Sequence, residues 1–235
     1  MTNAPSVGDD NIELPTVVSA AEWQAAFDAL LVKEKALTAA RDELSAERRR
    51  MPMVSVERDY RFVGPAGEVG LLDLFEGRRQ LMIYRFFYEP DVENWPEAGC
   101  TGCSMLADST PHPAHVNARD TTFAFVSAAP QERIEAFRRR MGWSVPWYTL
   151  TGEDFSRDFD VEEYFGLNVF IRDGDKVFRT YFVNGRGVEN IGHPMTMLDL
   201  TPLGRQETWE DTPRGRPQGE PYVWWRLHDE YGPTN

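Results

Sequence analysis

The sequence predicts an α/β fold, a central mixed sheet flanked by helices, with a long helix before it and an aromatic-rich tail after it. Apolar runs of strand length alternate with helical patterns across residues 53–205. An apolar residue recurs at every seventh position between residues 20 and 50, and tryptophans and tyrosines are spread through residues 206–235. Alternating strands and helices indicate a sheet that has a parallel portion and is covered by helices.

Composition limits the size of the domain and the class of partner. The chain has 235 residues, 41% hydrophobic and 12% aromatic, which suits one domain with appended segments. Its formal charge of -13 repels phosphate groups, so we expect neither nucleic acid nor a membrane surface as a partner. No apolar run reaches the ~18 residues of a membrane-spanning helix, and the polar N-terminus lacks the pattern of a secretory leader. We therefore expect a cytoplasmic protein, in a compartment that keeps thiols reduced.

The N-terminal region is predicted to be a tail followed by a helix. Residues 1–19 are rich in Pro, Gly, Asn and Asp without periodicity, which is typical of a flexible tail. Ser19 and Glu22 have the spacing of a capping box, so a helix should begin at the next residue after Ser19. The helix should continue to about Arg50, within an N-terminal segment that covers residues 20–52 and ends at a proline.

A narrow apolar seam runs along this helix, at positions spaced by seven: Trp23, Leu30, Leu37 and Leu44. Glu34 and Arg41 interrupt the companion stripe, so the apolar face is too narrow for a helix that is buried on all sides. Two interpretations are open. The seam packs along the chain's own domain, or the helices of two copies pair in a homodimer.

The body of the domain, residues 53–205, is predicted from its apolar runs and turn residues. An Asp-Gly turn at residues 173–174 predicts a hairpin that forms an antiparallel edge of the sheet. The aromatic residues of the extension over 206–235 are costly to leave in water, so this segment should dock on the domain. Strands are expected at 60–63, 79–88, 122–127, 145–150, 168–172 and 176–183, and helices from 100 and at 131–141, 154–165 and 193–204.

The sequence Cys100-Thr-Gly-Cys103 lies between a predicted buried strand and a predicted helix. A cysteine at the first turn of a helix is close to free backbone N–H groups, which stabilise its thiolate. A second cysteine three residues later lies one turn away, close enough to attack a mixed disulfide. This position in a strand and helix alternation is typical of a redox dithiol, and the pair closes too short a loop to be a structural staple.

Other residues near the dithiol qualify this interpretation. Asp91, Glu93 and Glu97 precede the dithiol in the same loop and would raise the pKa of Cys100 if they approached it. His115 and Asp108 are candidate helpers for proton transfer, against the simpler hypothesis that both are ordinary surface or structural residues.

A metal site is the main chemical alternative for the two cysteines. Cys100 and Cys103 with His112 and His115 form the pattern C-x2-C-x8-H-x2-H, which has the ligand types of a zinc site but a short gap. Prolines interrupt any helix between the pairs, so no metal is expected. Two inert, buried cysteines are the remaining alternative.

Several distinctive stretches carry a resemblance to a known family: Met82–Pro90, Gly99–Asp108, Asn117–Thr122, Val126–Pro130, Met141–Trp147, Arg172–Asp175, Arg186–Val188 and Leu198–Arg205. Through these stretches the chain resembles, from about Phe27 to Tyr231, the bacterial thioredoxin-like family catalogued as domain of unknown function 899. The family is described as predicted dithiol-disulfide oxidoreductases, so the resemblance implies a thioredoxin-like fold and a redox role for Cys100 and Cys103. It implies no substrate.

Two positions depart from thioredoxin itself. Thioredoxins place a cis-proline before the strand that faces the dithiol, whereas the expected strand starts near Leu167 and Asn168 without one. Pro146 precedes an earlier strand and is a weak substitute. Thioredoxins also have a tryptophan before the first cysteine, where this chain has Gly99. Both differences weigh against general disulfide reduction on protein substrates.

The residues and the resemblance together predict a thiol-disulfide oxidoreductase, in which Cys100 attacks and Cys103 resolves the mixed disulfide. The substrate would be an unidentified thiol, disulfide or peroxide, and no cofactor is expected. Two alternatives stay open. One is a peroxiredoxin-like thiol peroxidase, with Cys100 oxidised to a sulfenic acid that Cys103 captures. The other is a non-catalytic binding protein on a thioredoxin-like frame.

Overall fold

The computed structural model describes residues 14–92, 98–159, 161, 165–191, 193–212, 214–215 and 218–231. The chain divides into two compact units. One comprises Met1–Pro52 with Asp211–Pro217, and the other Met53–Glu210 with Gln218–Asn235. Most of the predicted tail over 1–19 lies outside the described residues.

The first unit contains helix α1, Ala20–Arg48, which begins where the sequence predicts. Ser19 forms a capping box: its hydroxyl accepts from the Glu22 backbone N–H at 3.3 Å, and the Glu22 carboxylate accepts from the Ser19 N–H at 2.9 Å. None of the residues of α1 is buried. The residues of the predicted seam, together with Phe27, are between 39% and 58% exposed.

The second unit is built on a mixed sheet with the strand order β1-β8-β7-β4-β5-β6-β2-β3. Strands β4, β5 and β6 are parallel to one another, and every other pairing is antiparallel. The strands in the described residues are β1 Val54–Val56, β2 Arg61–Gly64, β3 Gly67–Gly70, β4 Gln80–Arg85, β5 Thr121–Ser127, β6 Trp147–Leu150, β7 Gly166–Asp173 and β8 Lys176–Val183.

Helices join the parallel strands, as the alternating pattern predicts. The fold is thioredoxin-like: a mixed sheet with flanking helices, in which the helix that carries the dithiol follows a central parallel strand. The helices in the described residues are α2 Thr101–Asp108, α3 Pro113–Asn117, α4 Gln131–Met141, α5 Asp154–Asp158 and α6 His193–Leu198, with 3-10 turns at Asp73–Phe75 and Gly185–Ile191. None of the described helices has the length and apolar character needed to cross a lipid bilayer.

The hairpin of β7 and β8 has the predicted turn but not the predicted place at the edge of the sheet. Strand β7 pairs with β4, for example Leu167 with Tyr84, and β8 pairs in turn with β1, for example Phe178 with Ser55. Strand β1 has only three residues, too few for its Val-Ser-Val alternation to stand out in the sequence. The edge strand β3 has glycines at both ends, so its sequence also lacks the apolar pattern of a strand.

Strand β4 is central because apolar residues cover it on both faces. Tyr84 belongs to one core cluster, which also contains Cys103, whereas Leu81 and Ile83 belong to a second cluster. Burying one such side chain contributes about 1.5–3 kcal/mol, so a strand that is apolar on both faces is most stable inside the sheet. The carboxyl end of β4 therefore leads from the middle of the sheet to the loop before α2.

Candidate active site

The dithiol is held at the N-terminus of α2 by the backbone of the segment that leaves β4. Cys100 occupies the N-cap position, with φ -54° and ψ 129°, and its N–H donates to the Phe87 carbonyl oxygen at 2.9 Å. Gly99 is required by close packing, because a Cβ there would lie 2.7 Å from Cε1 of Phe86. A tryptophan, which thioredoxins carry at this position, would not fit.

The two thiols are free and differ in exposure. Cys100 is half-buried, whereas Cys103, on the first turn of α2, is 2% exposed. Cys103 packs beneath Cys100 against strand β4, where its sulfur lies 3.4 Å from the Tyr84 hydroxyl, a hydrogen bond that either group can donate. An incoming reagent therefore meets the sulfur of Cys100 first.

Electrostatics favour a thiolate on Cys100. Its pKa is lowered from 9.0 to about 7, chiefly because the Cys103 thiol donates a hydrogen bond to the Cys100 sulfur. Partial burial opposes this shift, and the backbone N–H groups of Cys103 and Gly102 reinforce it. Cys100 makes no regular N-cap hydrogen bond, so these N–H groups act as nearby dipoles at the start of the helix.

Cys103 and Tyr84 behave in the opposite way. Burial raises the pKa of Cys103 well above its ordinary value, and the neighbouring Cys100 thiolate raises it further. Burial also raises the pKa of Tyr84, with a second contribution from the charge of Cys103. Near neutral pH Cys100 is therefore partly ionised to the thiolate, whereas Cys103 stays protonated.

A cavity of about 390 Å³ opens beside the dithiol, and both cysteines form part of its wall. Most of the other lining side chains are apolar or aromatic, and two are charged. Besides the cysteines, the cavity is lined by Tyr84, Gly102, Met105, Leu106, Phe165, Gly185, Arg186, Val188, Glu189, Met195, Tyr222 and Trp225.

One wall of the cavity comes from the C-terminal segment 218–231. The Trp225 ring packs on α2 at Gly102, where a Cβ would lie 2.8 Å from Cε3 of the indole and closer still to Cζ3. Tyr222 packs against Trp225, with the ring centroids 4.7 Å apart. The glycine between the two cysteines therefore leaves space for this tryptophan.

The same segment is fastened to α2 and α4 beyond Trp225. Leu227 is buried in the core that contains Cys103. His228 Nδ1 lies 2.8 Å from Asp108 Oδ1, at the end of α2. Arg140 donates to both carboxylate oxygens of Asp229, at 2.7 and 2.9 Å. These contacts hold the aromatic wall against the helix that carries the dithiol.

The two predicted helper residues lie away from the cavity wall. Asp108 is at the far end of α2, about 12 Å along the helix from Cys100, and accepts a hydrogen bond from Trp143 Nε1 at 2.7 Å. His115 is exposed on α3. Neither residue is among those that line the cavity within the described chain. A role for them in proton transfer stays a prediction.

The other candidate groups of the sequence have these positions. His112 caps α3, where its Nδ1 accepts from the Ala114 N–H at 3.3 Å, and its ring lies 6.2 Å from that of His115. Within the described residues, no three or more His, Cys, Asp or Glu side chains come together as a metal site. Glu93 and Glu97 lie outside the described residues, and Asp91 is not among the groups that shift the pKa of Cys100.

The site also contains two features that the sequence did not predict, the Tyr84 hydroxyl and the 3-10 turn at Gly185–Ile191. Tyr84 reads as one more apolar residue of a buried strand, and its hydroxyl gives no signal in the sequence. The 3-10 turn supplies Val188 and Glu189 to the cavity wall. The stretch Arg186–Val188, which carries part of the family resemblance, was the signal that this turn is more than a connection.

Comparison with protein families gives one match over nearly the whole chain. The model of the family described as "Bacterial protein of unknown function (DUF899)" matches residues 12–231. No curated protein matches the chain in sequence.

Several solved structures are similar at low identity. A secreted Mycobacterium tuberculosis disulfide oxidoreductase, described as homologous to Escherichia coli DsbE, is 15% identical over 54% of this chain and 84% of its own, with a TM-score of 0.35. A mutant of Xylella fastidiosa PrxQ is 16% identical over 63% and 97%, with a TM-score of 0.39. A thioredoxin-like protein from Aeropyrum pernix is 12% identical over 68% and 97%, with a TM-score of 0.38. At these identities the similarity concerns the fold alone.

Proposed function

The chain belongs to the bacterial DUF899 family, and from that premise we propose that it is a thiol-disulfide oxidoreductase, with Cys100 as the attacking thiol and Cys103 as the resolving thiol. One observation carries the proposal. Two free cysteines on one helical turn have opposite pKa shifts, and the one with the lowered pKa is the more exposed. An exposed thiol with a lowered pKa above a buried thiol with a raised pKa is the arrangement that thiol-disulfide exchange requires.

The first step is attack by the Cys100 thiolate on one sulfur of a substrate disulfide. A bond forms between the Cys100 sulfur and that substrate sulfur, the substrate S–S bond breaks, and the other half leaves as a thiolate. A pKa of about 7 is near the optimum for an attacking thiol at neutral pH, because a lower value would reduce its nucleophilicity.

The second step is resolution by Cys103. Once Cys100 is in the mixed disulfide, its negative charge is gone, which removes one of the causes that raise the pKa of Cys103, next to burial. Cys103 loses its proton to the departing substrate thiolate and attacks the Cys100 sulfur. The Cys100–Cys103 disulfide forms, and the second half of the substrate leaves as a thiolate that takes a proton from water. The protein dithiol is thereby oxidised by two electrons, and the substrate disulfide is reduced to two thiols.

Thiol release from 4,4'-dithiodipyridine tests this order, since each released thiopyridone is counted by absorbance. Reduced wild type should release two equivalents and end as the intramolecular disulfide. Cys103→Ser should release one equivalent and keep the pyridyl group on Cys100, as seen by mass spectrometry. Cys100→Ser should react at least about 10-fold more slowly at pH 7, because its remaining thiol is protonated and buried.

Two results would contradict the proposal. Equal rates for Cys100→Ser and Cys103→Ser would remove the assignment of roles. A wild type that ends with two separate pyridyl adducts would show that the thiols do not resolve each other. If reduced wild type instead reacts with peroxide and not with disulfides, the thiol peroxidase is the better description.

A further inference from the structure

The cavity beside Cys100 has a wall that is almost entirely apolar in the described residues. Side chains of Leu106, Phe165, Val188 and Met195 face it, and the aromatic rings of the C-terminal segment complete it. Leu106, Val188 and Met195 are themselves buried. A ligand in this cavity is partly removed from water. Its apolar surface therefore favours binding, and any unpaired charge that it buries opposes binding.

The two charged residues of the wall are neutralised by neighbouring side chains. Glu189 accepts from Arg205 Nη1 at 2.8 Å and lies 3.3 Å from Arg186 Nε. Arg205 also binds both oxygens of Asp199, each at 2.7 Å. Two guanidinium groups thus face two carboxylates, and these four side chains offer no excess charge of either sign to a ligand. The remaining charge at the wall is the reacting thiolate of Cys100.

The ring of Trp209 packs on the Arg186 side chain. The guanidinium carbon of Arg186 lies 4.2 Å from the Trp209 ring centroid, a cation–π contact. Arg186 therefore has two partners, Glu189 and Trp209. Its charge is already compensated by Glu189 when a ligand arrives, and its side chain is 58% exposed, so an ion pair with it is screened by water.

The size of the cavity limits the substrate as well. About 390 Å³ is near the lower end of the range for small-molecule sites. The wall formed by Trp225, which is packed on Gly102, lies directly beside the dithiol. A folded protein that presented a disulfide would have to displace this segment, whereas a small molecule would not.

We propose that the cavity is the substrate site and that its substrate is a small, uncharged, largely apolar disulfide. This inference rests on the proposed function and adds the class of substrate. The substrate disulfide enters beside the Cys100 sulfur, its apolar arms occupy the cavity, and it leaves as two thiols while the Cys100–Cys103 disulfide forms.

The test compares two aromatic disulfides that differ in charge. Reduced protein is mixed with 4,4'-dithiodipyridine, which is neutral near pH 7, or with 5,5'-dithiobis(2-nitrobenzoate), which is a dianion. Each rate is divided by the rate of the same reagent with a small free thiol, which removes intrinsic reactivity. About 1 M salt shortens the Debye length to ~3 Å and so suppresses repulsion by the acidic surface. The normalised rate should favour the neutral reagent by at least about 10-fold.

Two variants that each add a carboxylate test whether the preference for the neutral reagent depends on the cavity. Phe165→Glu places a carboxylate in the half-buried wall and should lower the rate with the neutral reagent several-fold. Leu200→Glu adds the same charge at an exposed position outside the wall and should leave both rates unchanged. The wild-type comparison stands by itself if Phe165→Glu does not fold.

The outcomes separate the two proposals. Equal normalised rates for the two reagents would overturn the apolar substrate class and leave the oxidoreductase intact. Failure of both reagents to produce the Cys100–Cys103 disulfide would overturn the proposed function itself. A several-fold slower reaction in Leu200→Glu as well as Phe165→Glu would show that overall charge, not the cavity, sets the preference.

Discussion

At Cys100 a thiolate is stabilised by a hydrogen bond, and that hydrogen bond comes from the thiol that later displaces the substrate. The two cysteines therefore act on each other before any substrate arrives. The lowered pKa of Cys100 and the raised pKa of Cys103 have one cause in common, the hydrogen bond that the Cys103 thiol donates to the Cys100 sulfur. Tyr84 holds the Cys103 sulfur from below and leaves the Cys100 sulfur to the cavity.

The pH dependence of Cys100 follows from this arrangement. Since the thiolate is the reactive form, alkylation of Cys100 by iodoacetamide should rise with pH through a midpoint of about 7 and level off above it. Cys103→Ala removes the main hydrogen-bond donor, so the midpoint should move upward. Cys103→Ser retains a donor and should shift the midpoint less. The absorbance of the thiolate as a function of pH measures the midpoint of each variant. An unchanged midpoint in Cys103→Ala would show that Cys103 does not stabilise the Cys100 thiolate by a hydrogen bond.

Because Trp225 packs on Gly102, we expect Gly102→Ala to have opposite effects on the free energy of unfolding in wild type and in Trp225→Ala. In wild type, Gly102→Ala should destabilise the fold by about 1–3 kcal/mol, because the new Cβ overlaps the indole ring. In Trp225→Ala the overlap is gone, and Gly102→Ala should stabilise α2 by roughly 0.5–1 kcal/mol, since alanine is the better helix former. Urea unfolding of the four proteins measures the coupling. The same sign in both backgrounds would contradict this packing.

At the scale of elements, the C-terminal segment acts as a wall of the cavity because its aromatic residues share a buried anchor. The carboxylate of Glu207 accepts from Trp209 Nε1 at 2.6 Å, from Trp224 Nε1 at 2.8 Å and from the Tyr222 backbone N–H at 2.8 Å. Glu207 is 1% exposed. A buried carboxylate with three N–H donors orders two separate stretches of chain around one point.

Loss of that anchor should loosen the wall. Glu207→Gln keeps the shape but replaces one acceptor oxygen by an NH2 group that faces N–H donors, which should cost about 1–3 kcal/mol of unfolding free energy. Cys100 should also be alkylated faster, because the C-terminal segment covers part of its cavity. Glu220→Gln, at an exposed carboxylate of the same segment, is the control. If both variants match wild type in stability and alkylation rate, Glu207 does not anchor the segment.

Helix α1 gives a prediction about assembly. Its seam residues are not buried within their own unit, and Trp23 stacks on Phe27 with ring centroids 5.2 Å apart, so the helix carries an apolar strip. We expect that this strip pairs with a second copy in a homodimer. Leu30→Asp with Leu37→Asp should lower the mass seen in light scattering to that of one chain, whereas the exposed pair Val32→Asp with Leu200→Asp should not. A wild type that is already monomeric at high concentration would remove this expectation.

At the scale of the whole molecule, the sequence predicted the fold better than the surroundings of the site. The strand and helix alternation predicted β4 to β8 and the helices between them, because apolar periodicity is a local signal. The short strand β1 and the glycine-bounded β3 lack that signal. Because β1 was not predicted, the β7–β8 hairpin was wrongly placed at the edge of the sheet.

The dithiol itself was predictable, because the spacing of the two cysteines and the strand before them are both recognisable within a short stretch of sequence. The cavity was not, since its wall joins α2 with Phe165, with the 3-10 turn near Val188 and with Trp225 far along the chain. The aromatic content of the tail indicated that it packs somewhere. Only the three-dimensional contact with Gly102 identifies the place.

The central claim is that Cys100 and Cys103 are a redox pair, and the reduction potential of the dithiol tests it most directly. Reduced protein is equilibrated in thiol-disulfide buffers of graded potential, quenched in acid and counted for free thiols by mass spectrometry. The account predicts one reversible two-electron transition between roughly -270 and -120 mV, the range of catalytic pairs. A Cys100–Cys103 disulfide that never forms, or one that stays oxidised below about -300 mV as structural disulfides do, would contradict it.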